Sequence, residues 1–170
     1  MDDEFEENYA SLATTTCEWR AFELCDPEVM ATRVFDRLRR DRKPADLRRL
    51  YIAVDIVVNK TYQEASGRKS IRDGVFGMQF RGTPKVKLEN PSVHEALRRL
   101  SDKDGALLRQ AYWDELTMDE MAVVNGGGAG EQAVKVTIAL QRFAARLPAE
   151  LVSDPVTALQ SIHPGTHRRE

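Results

Sequence analysis

Thr117-Met-Asp-Glu-Met-Ala-Val-Val-Asn-Gly-Gly-Gly-Ala-Gly-Glu-Gln-Ala-Val-Lys-Val-Thr-Ile-Ala-Leu-Gln-Arg-Phe-Ala-Ala-Arg-Leu147 is the stretch on which the fold turns. Its first four residues fit a capping box, in which a Thr hydroxyl and a Glu carboxylate satisfy the first free amides of a helix. The spacing predicts a short helix from Met118 to Val124, a Gly-rich turn, and a longer helix from about Glu131 to Leu147. The run Gly126 to Gly130 has no strand before it and no Lys-Ser or Lys-Thr after it. A phosphate-cradling nucleotide loop requires those groups, so the run reads as an expanded turn between helices.

On the longer helix, Val134, Ile138, Gln141 and Ala145 share a face that is expected to pack, while Lys135, Arg142 and Arg146 share a neighbouring face suited to phosphates. Gln132, Lys135 and Thr137 lie near its amino end, the part that reaches base edges in a helix-turn-helix. A third stripe of Val136, Leu140, Phe143 and Leu147 is apolar and needs a cover. The chain's own Val156, Leu159 and Ile162 can supply it, and a protein partner is the alternative.

Working outward, Ser92-Val-His-Glu95 fits the capping box and Ser101-Asp-Lys-Asp104 is its acidic variant, so helices are expected to begin at both. The second should run about a dozen residues and end near Glu115. A last short helix is expected from Pro155 to Ile162, capped by Asp154, before a polar tail. Toward the amino end, residues 5–65 read as helical. Asp26-Pro27-Glu28 is a start signal, with Met30, Val34, Phe35 and Leu38 at helical spacing and Arg33, Arg37 and Arg40 turned to the other side. A further helix from Leu47 to Glu64 carries the stripe Leu50, Tyr51, Val54, Val57, Val58 and Tyr62, despite a β-branched content that lowers its intrinsic propensity.

Between these halves, residues 66–91 contain four Gly, two Pro and six basic residues against two acidic ones, and they lack helical periodicity. They read as a flexible basic connector, with weak alternation in 75–88 that would permit a small hairpin. The expected organisation is therefore all-α. Two small helical domains, 1–65 and 92–147, are joined by the linker 66–91 and followed by a short helix and tail, 148–170; the second domain is a helix-turn-helix.

The chain has 170 residues and a formal net charge of -2, but the charge is unevenly spread. Residues 1–30 hold nine acids and the single base Arg20, while residues 31–50 hold eight bases and three acids. A basic band between acidic ends suits a polyanion, because clustered Lys and Arg displace counterions from phosphates; a solvated helix face is the plainer reading. The longest apolar run, Ile52 to Val58, is broken by Asp55 and far too short to span a bilayer, so no membrane insertion is expected. The acidic amino terminus lacks the basic start of a secretory signal, which makes the cytoplasm the expected location. Cys17 and Cys25 read as small packing groups.

No group of residues suggests catalysis. Asp114-Glu115 and Asp119-Glu120 fall at helix ends, where caps and dipoles account for them. His163 and His167 stand in a tail without further ligands nearby, so no metal site is expected, nor any cofactor. The expected activity is binding.

The order Ala96-Leu-Arg-Arg-Leu100, Leu107-Leu108, Ala111-Tyr-Trp-Asp-Glu-Leu-Thr-Met-Asp-Glu-Met-Ala122 and Val134-Lys135 resembles the carboxy-terminal domain of bacterial RNA polymerase sigma factors of the extracytoplasmic-function group. Upstream, Leu24-Cys-Asp-Pro-Glu28, Val34-Phe35, Leu50-Tyr51 and Ile52-Ala53 are similar to the promoter-melting domain of that family. The resemblance implies an initiation factor whose partners are RNA polymerase core and promoter DNA, with an anti-sigma factor as a regulator. It assigns core contact to Glu28, Thr32, Arg33, Phe35 and Arg37. It assigns the separated strand to Asn59, Lys60, Thr61 and Tyr62 with Arg68 and Lys69, a set offering the stacking surface and cations that unpaired bases need. Thr117, Gln132, Lys135, Thr137, Arg142 and Arg146 would face duplex DNA.

Two departures from the family stand out. Val29, Thr32 and Arg33 occupy places where acidic and Gln residues are usual, and Val136 and Leu140 occupy places where polar groups are common. Two other readings stand beside it: a sigma-like adaptor that binds protein rather than promoter, suggested by the apolar stripe of the longer helix and the altered clamp residues, and a helix-turn-helix regulator that acts without promoter melting.

Overall fold

The computed structural model describes residues 3–21, 25–41, 43–66 and 90–163. All regular structure among them is α-helical, and no helix there is long and apolar enough to cross a membrane. The chain divides into two compact units, residues 1–75 and 76–170. Residues 67–89, and with them Arg68, Lys69 and the hairpin considered for 75–88, lie outside the described residues.

The first unit is three helices, α1 (Asp3–Ala21), α2 (Pro27–Arg40) and α3 (Leu47–Ser66), each packed against the other two. The start of α2 is the expected one: the Asp26 carboxylate accepts from the Glu28 amide at 2.9 Å, and Pro27 occupies the first turn. Arg49 holds the turn into α3, donating to the Pro44 carbonyl at 2.7 Å and pairing with Asp41 at 3.1 Å. The core is built from Met30, Val34, Phe35 and Leu38 of α2, Leu50, Val54 and Val57 of α3, and Ala13 and Cys17 of α1. Burial of one face, rather than propensity, keeps the β-branched run Ile52 to Val58 helical. Arg20 of α1 is 6% exposed, pairs with Asp55 of α3, and lies over the rings of Trp19 and Tyr51 at 4.7 and 5.4 Å.

The second unit comprises α4 (Pro91–Arg98), α5 (Asp102–Tyr112), α6 (Met118–Asn125), α7 (Ala129–Ala144) and α8 (Pro155–Gln160). Ser101 and Thr117 cap α5 and α6 as the sequence predicts, the second in a complete capping box with Glu120. Asp154 caps α8 and accepts from Thr157, which holds its carboxyl below the usual range. Ser92 is not a cap. Helix α4 starts two residues earlier than a Ser92 cap would place it, at Pro91, because proline's fixed φ suits a first helical position, and Asn90 precedes it with a left-handed φ of 50°.

Among the described residues of this unit, three polar ties bear on the placement of α4, α6 and α8. The Trp113 indole donates to the Leu159 carbonyl at 3.2 Å, linking the end of α5 to α8. Asn90 reaches Ser161 at 3.1 Å. Gln110 and Asn125 exchange amide hydrogen bonds of 3.4 and 2.8 Å, which fix the end of α6 against α5.

Candidate nucleic-acid interface

Helix α7 packs against α5, α6 and α8, and this packing decides which of its stripes is buried. Val136, Ala139, Phe143 and Leu147 are in the core, with Leu140 half-buried, and Leu159 and Ile162 are buried alongside them in the same unit. The chain therefore covers that stripe itself. Val134, Ile138, Gln141 and Ala145, expected to pack, are exposed instead. Both stripes are apolar at helical spacing, but only the one holding Phe143 and Leu147 has the bulk to fill the space between three neighbours.

The turn before α7 is built on two left-handed glycines, Gly126 at φ 81° and Gly127 at φ 86°. A Cβ at Gly127 would collide with the Glu131 carboxylate. That carboxylate accepts from Lys135 at 2.6 Å, and this contact, together with the backbone at Gly128, holds its pKa below the ordinary Glu value. Lys135 is exposed, but its charge is shared with Glu131 one turn earlier.

Gln132 does not point outward. It is 0% exposed, its amide nitrogen donates to the Gly126 carbonyl at 2.7 Å, and its amide oxygen has no hydrogen-bond partner among the described residues. It closes the glycine turn from inside and is corrected from base contact to turn support. Gln132→Ala is expected to cost about 1–3 kcal/mol in urea unfolding, because the Gly126 carbonyl loses its donor. A solvent-facing residue at this place would cost under about 0.5 kcal/mol.

Arg142 is also committed within the unit. Both oxygens of Asp104, in the first turn of α5, lie within 3.2 Å of its guanidinium nitrogen. Arg146 donates to the Arg142 carbonyl at 2.6 Å and remains exposed, while the exposed Thr137 hydroxyl bonds back to Ala133 at 2.8 Å. Thr117 is held by its cap, with its hydroxyl and amide both on Glu120 at 2.8 Å. Beside Arg142, which is exposed but shares its charge with Asp104, the outward surface of α7 is Gly130, Glu131, Ala133, Val134, Lys135, Thr137, Ile138 and Gln141, a set close to neutral and rich in methyl groups.

In the first unit, Phe35 is 3% exposed and belongs to the core, so it is unavailable to a partner. Thr61 is likewise buried, its hydroxyl bonded to the Val57 carbonyl at 3.0 Å. Tyr62 and Asn59 are half-buried, and burial pushes the Tyr62 phenol above its ordinary pKa. Glu28, Thr32 and Arg33 are exposed and Arg37 is half-exposed. Arg33, Arg37 and Lys60 come together, with Arg40, along a groove of about 350 Å³ between α2 and α3. Sequence spacing placed Arg33, Arg37 and Arg40 on one side of α2. Their meeting with Lys60 depends on the antiparallel pairing of α2 and α3, which single-helix periodicity does not encode. The Glu131–Lys135 pair was readable from its four-residue spacing.

No group of three or more His, Cys, Asp or Glu positioned for a metal ion occurs among the described residues. His163 packs edge-on against Trp113, with ring centroids 5.5 Å apart, and His167 lies outside the described residues. No protein-family model, curated protein or solved structure matches the chain.

Proposed function

We propose that the chain is a sigma-type initiation factor. In this reading the second unit is a helix-turn-helix module that docks on promoter duplex, and the first unit engages RNA polymerase core and the separated strand. The observation carrying it is the sequence α5, capped α6, glycine turn and α7, with α7 anchored along one side and its amino-terminal half presented on the other. Exposed Val134, Thr137 and Ile138 suit thymine methyl groups, and Lys135 and Arg146 suit phosphates. The lysine's salt bridge to Glu131 limits how much of its charge is offered.

Binding of labelled promoter-library duplexes at several salt concentrations tests the module. Lys135→Glu is expected to weaken duplex affinity about tenfold and to reduce the slope of log affinity against log salt by about one contact. Glu131→Gln should tighten binding by releasing the lysine. Unchanged affinity in both variants would remove α7 from the interface. Co-elution with core polymerase and promoter-dependent transcription test the remainder; duplex binding without co-elution would leave a regulator that does not act through the polymerase.

The adaptor reading has one observation in its favour. Val123, Val134 and Ile138 are the exposed large apolar residues of α6 and α7, a composition that also suits a protein partner. It predicts capture of a protein with no promoter-dependent transcript.

A further inference from the structure

The groove between α2 and α3 has a surplus of cations that the fold does not use; among them Arg33, Arg37 and Lys60 are residues that the proposed function also gives to polymerase core and the separated strand, so a ligand seated here would compete with both. Asp41, on its rim, is paired with Arg49 at 3.1 Å, and Asp36 shares Arg39, at 3.1 Å, with Glu6 of α1. Arg37 and Arg40 have no carboxylate partner among the described residues. Arg33 and Lys60, from opposite walls, converge on the two oxygens of one exposed carboxylate, Glu64, at 3.9 and 3.8 Å. Those separations exceed hydrogen-bonding distance, so Glu64 is a loosely held internal anion that an external one can displace.

The volume of about 350 Å³ falls within the range of small-ligand sites. The three arginines offer planar forks that match phosphate oxygens, and Lys60 adds a point charge. Ile56, 37% exposed, and Val57 supply a small apolar surface beside the cations. That surface is too small for a helical protein segment, whose docking needs a row of apolar anchors. It is adequate for the edge of a planar base or another compact apolar group.

We propose that this groove is a binding site for a small phosphorylated ligand carrying two or more linked phosphates, of the nucleoside di- or triphosphate class, with the phosphate chain lying between Arg33, Arg37, Arg40 and Lys60. The site is independent of what α7 binds.

Isothermal titration of the full chain with inorganic triphosphate, ATP and GTP tests this, with a single-stranded oligothymidylate and an acidic Glu-rich peptide as comparison arms. Saturable binding of triphosphate or nucleotide is expected. Arg37→Gln with Arg40→Gln should weaken it about tenfold or more, in keeping with the loss of charge-assisted hydrogen bonds. Glu64→Gln should strengthen it several-fold by removing the competing carboxylate, an outcome that damage to the fold would not produce. Circular dichroism of each variant checks helicity. The proposal is overturned if neither triphosphate nor nucleotide binds at millimolar concentration. It is equally overturned if only the oligonucleotide or only the peptide binds, if the double arginine variant binds as well as the parent, or if Glu64→Gln weakens binding.

Discussion

Replacing Phe143 with alanine is expected to destabilise the second unit by about 3–5 kcal/mol, enough to unfold an ordinary domain of this size or bring it to the edge of unfolding. Phe143 is 0% exposed and sits in the middle of the buried stripe of α7, which packs against three other helices. Truncation removes the largest fully buried side chain among the described residues and leaves a cavity that α5, α6 and α8 cannot close together. Urea unfolding followed through Trp113, with Trp19 replaced by phenylalanine to silence it, measures the loss. Val134→Ala, on the exposed stripe of the same helix, should change the midpoint by less than about 0.5 kcal/mol. If the two substitutions cost equal amounts, the orientation of α7 described above is wrong.

Arg20→Ala is the corresponding change in the first unit, with an expected loss of about 3–5 kcal/mol. The cost does not come from a strong attraction, since desolvation offsets much of what a buried ion pair gains. It comes from what remains: Asp55, 27% exposed in the folded chain, is left without its guanidinium. The same change removes the cation lying over Trp19 and Tyr51, worth about 0.5–2 kcal/mol. Arg20→Met with Asp55→Leu, which replaces both charges by apolar groups, should recover most of the stability. Unfolding followed by Trp19 fluorescence reads both variants; if the double variant is no more stable than the single one, the ion pair is itself the source of the stability.

Arg20 also shows where a sequence stops being informative. As the lone base among nine acids it is conspicuous, yet nothing in its spacing indicates Asp55, thirty-five residues away, as its partner. Local signals were legible wherever the chemistry is local. Asp26, Ser101, Thr117 and Asp154 all cap the helices expected of them, because a cap depends on residues within one turn. Ser92 is no cap because Pro91 takes the first helical position and moves the start two residues back from Val93. Helix α7 misled in a different way. It has apolar residues on two faces, so periodicity established a helix but could not choose its inward side, and only the neighbouring helices do so. Gln132 shares that ambiguity, a plausible contact residue by type and an interior one by position; Phe35 and Thr61 take their contact roles from the resemblance alone, and the place of Phe35 on the apolar stripe of α2 already marks it as interior.

The mutual amide pairing of Gln110 and Asn125 has a chemical consequence beyond helix placement. Asn125 precedes a glycine, the neighbour that most readily permits an asparagine side chain to cyclise onto the following nitrogen and lose ammonia. Here the side-chain amide is held by Gln110, and the Gly126 nitrogen donates to the Ala122 carbonyl at 2.8 Å, so neither reacting group is at liberty. Intact folding thus shields an otherwise fragile dipeptide from spontaneous ageing, and any molecule that opens at this joint begins to accumulate, as water opens the cyclic imide, isoaspartate and aspartate where the clasp once closed.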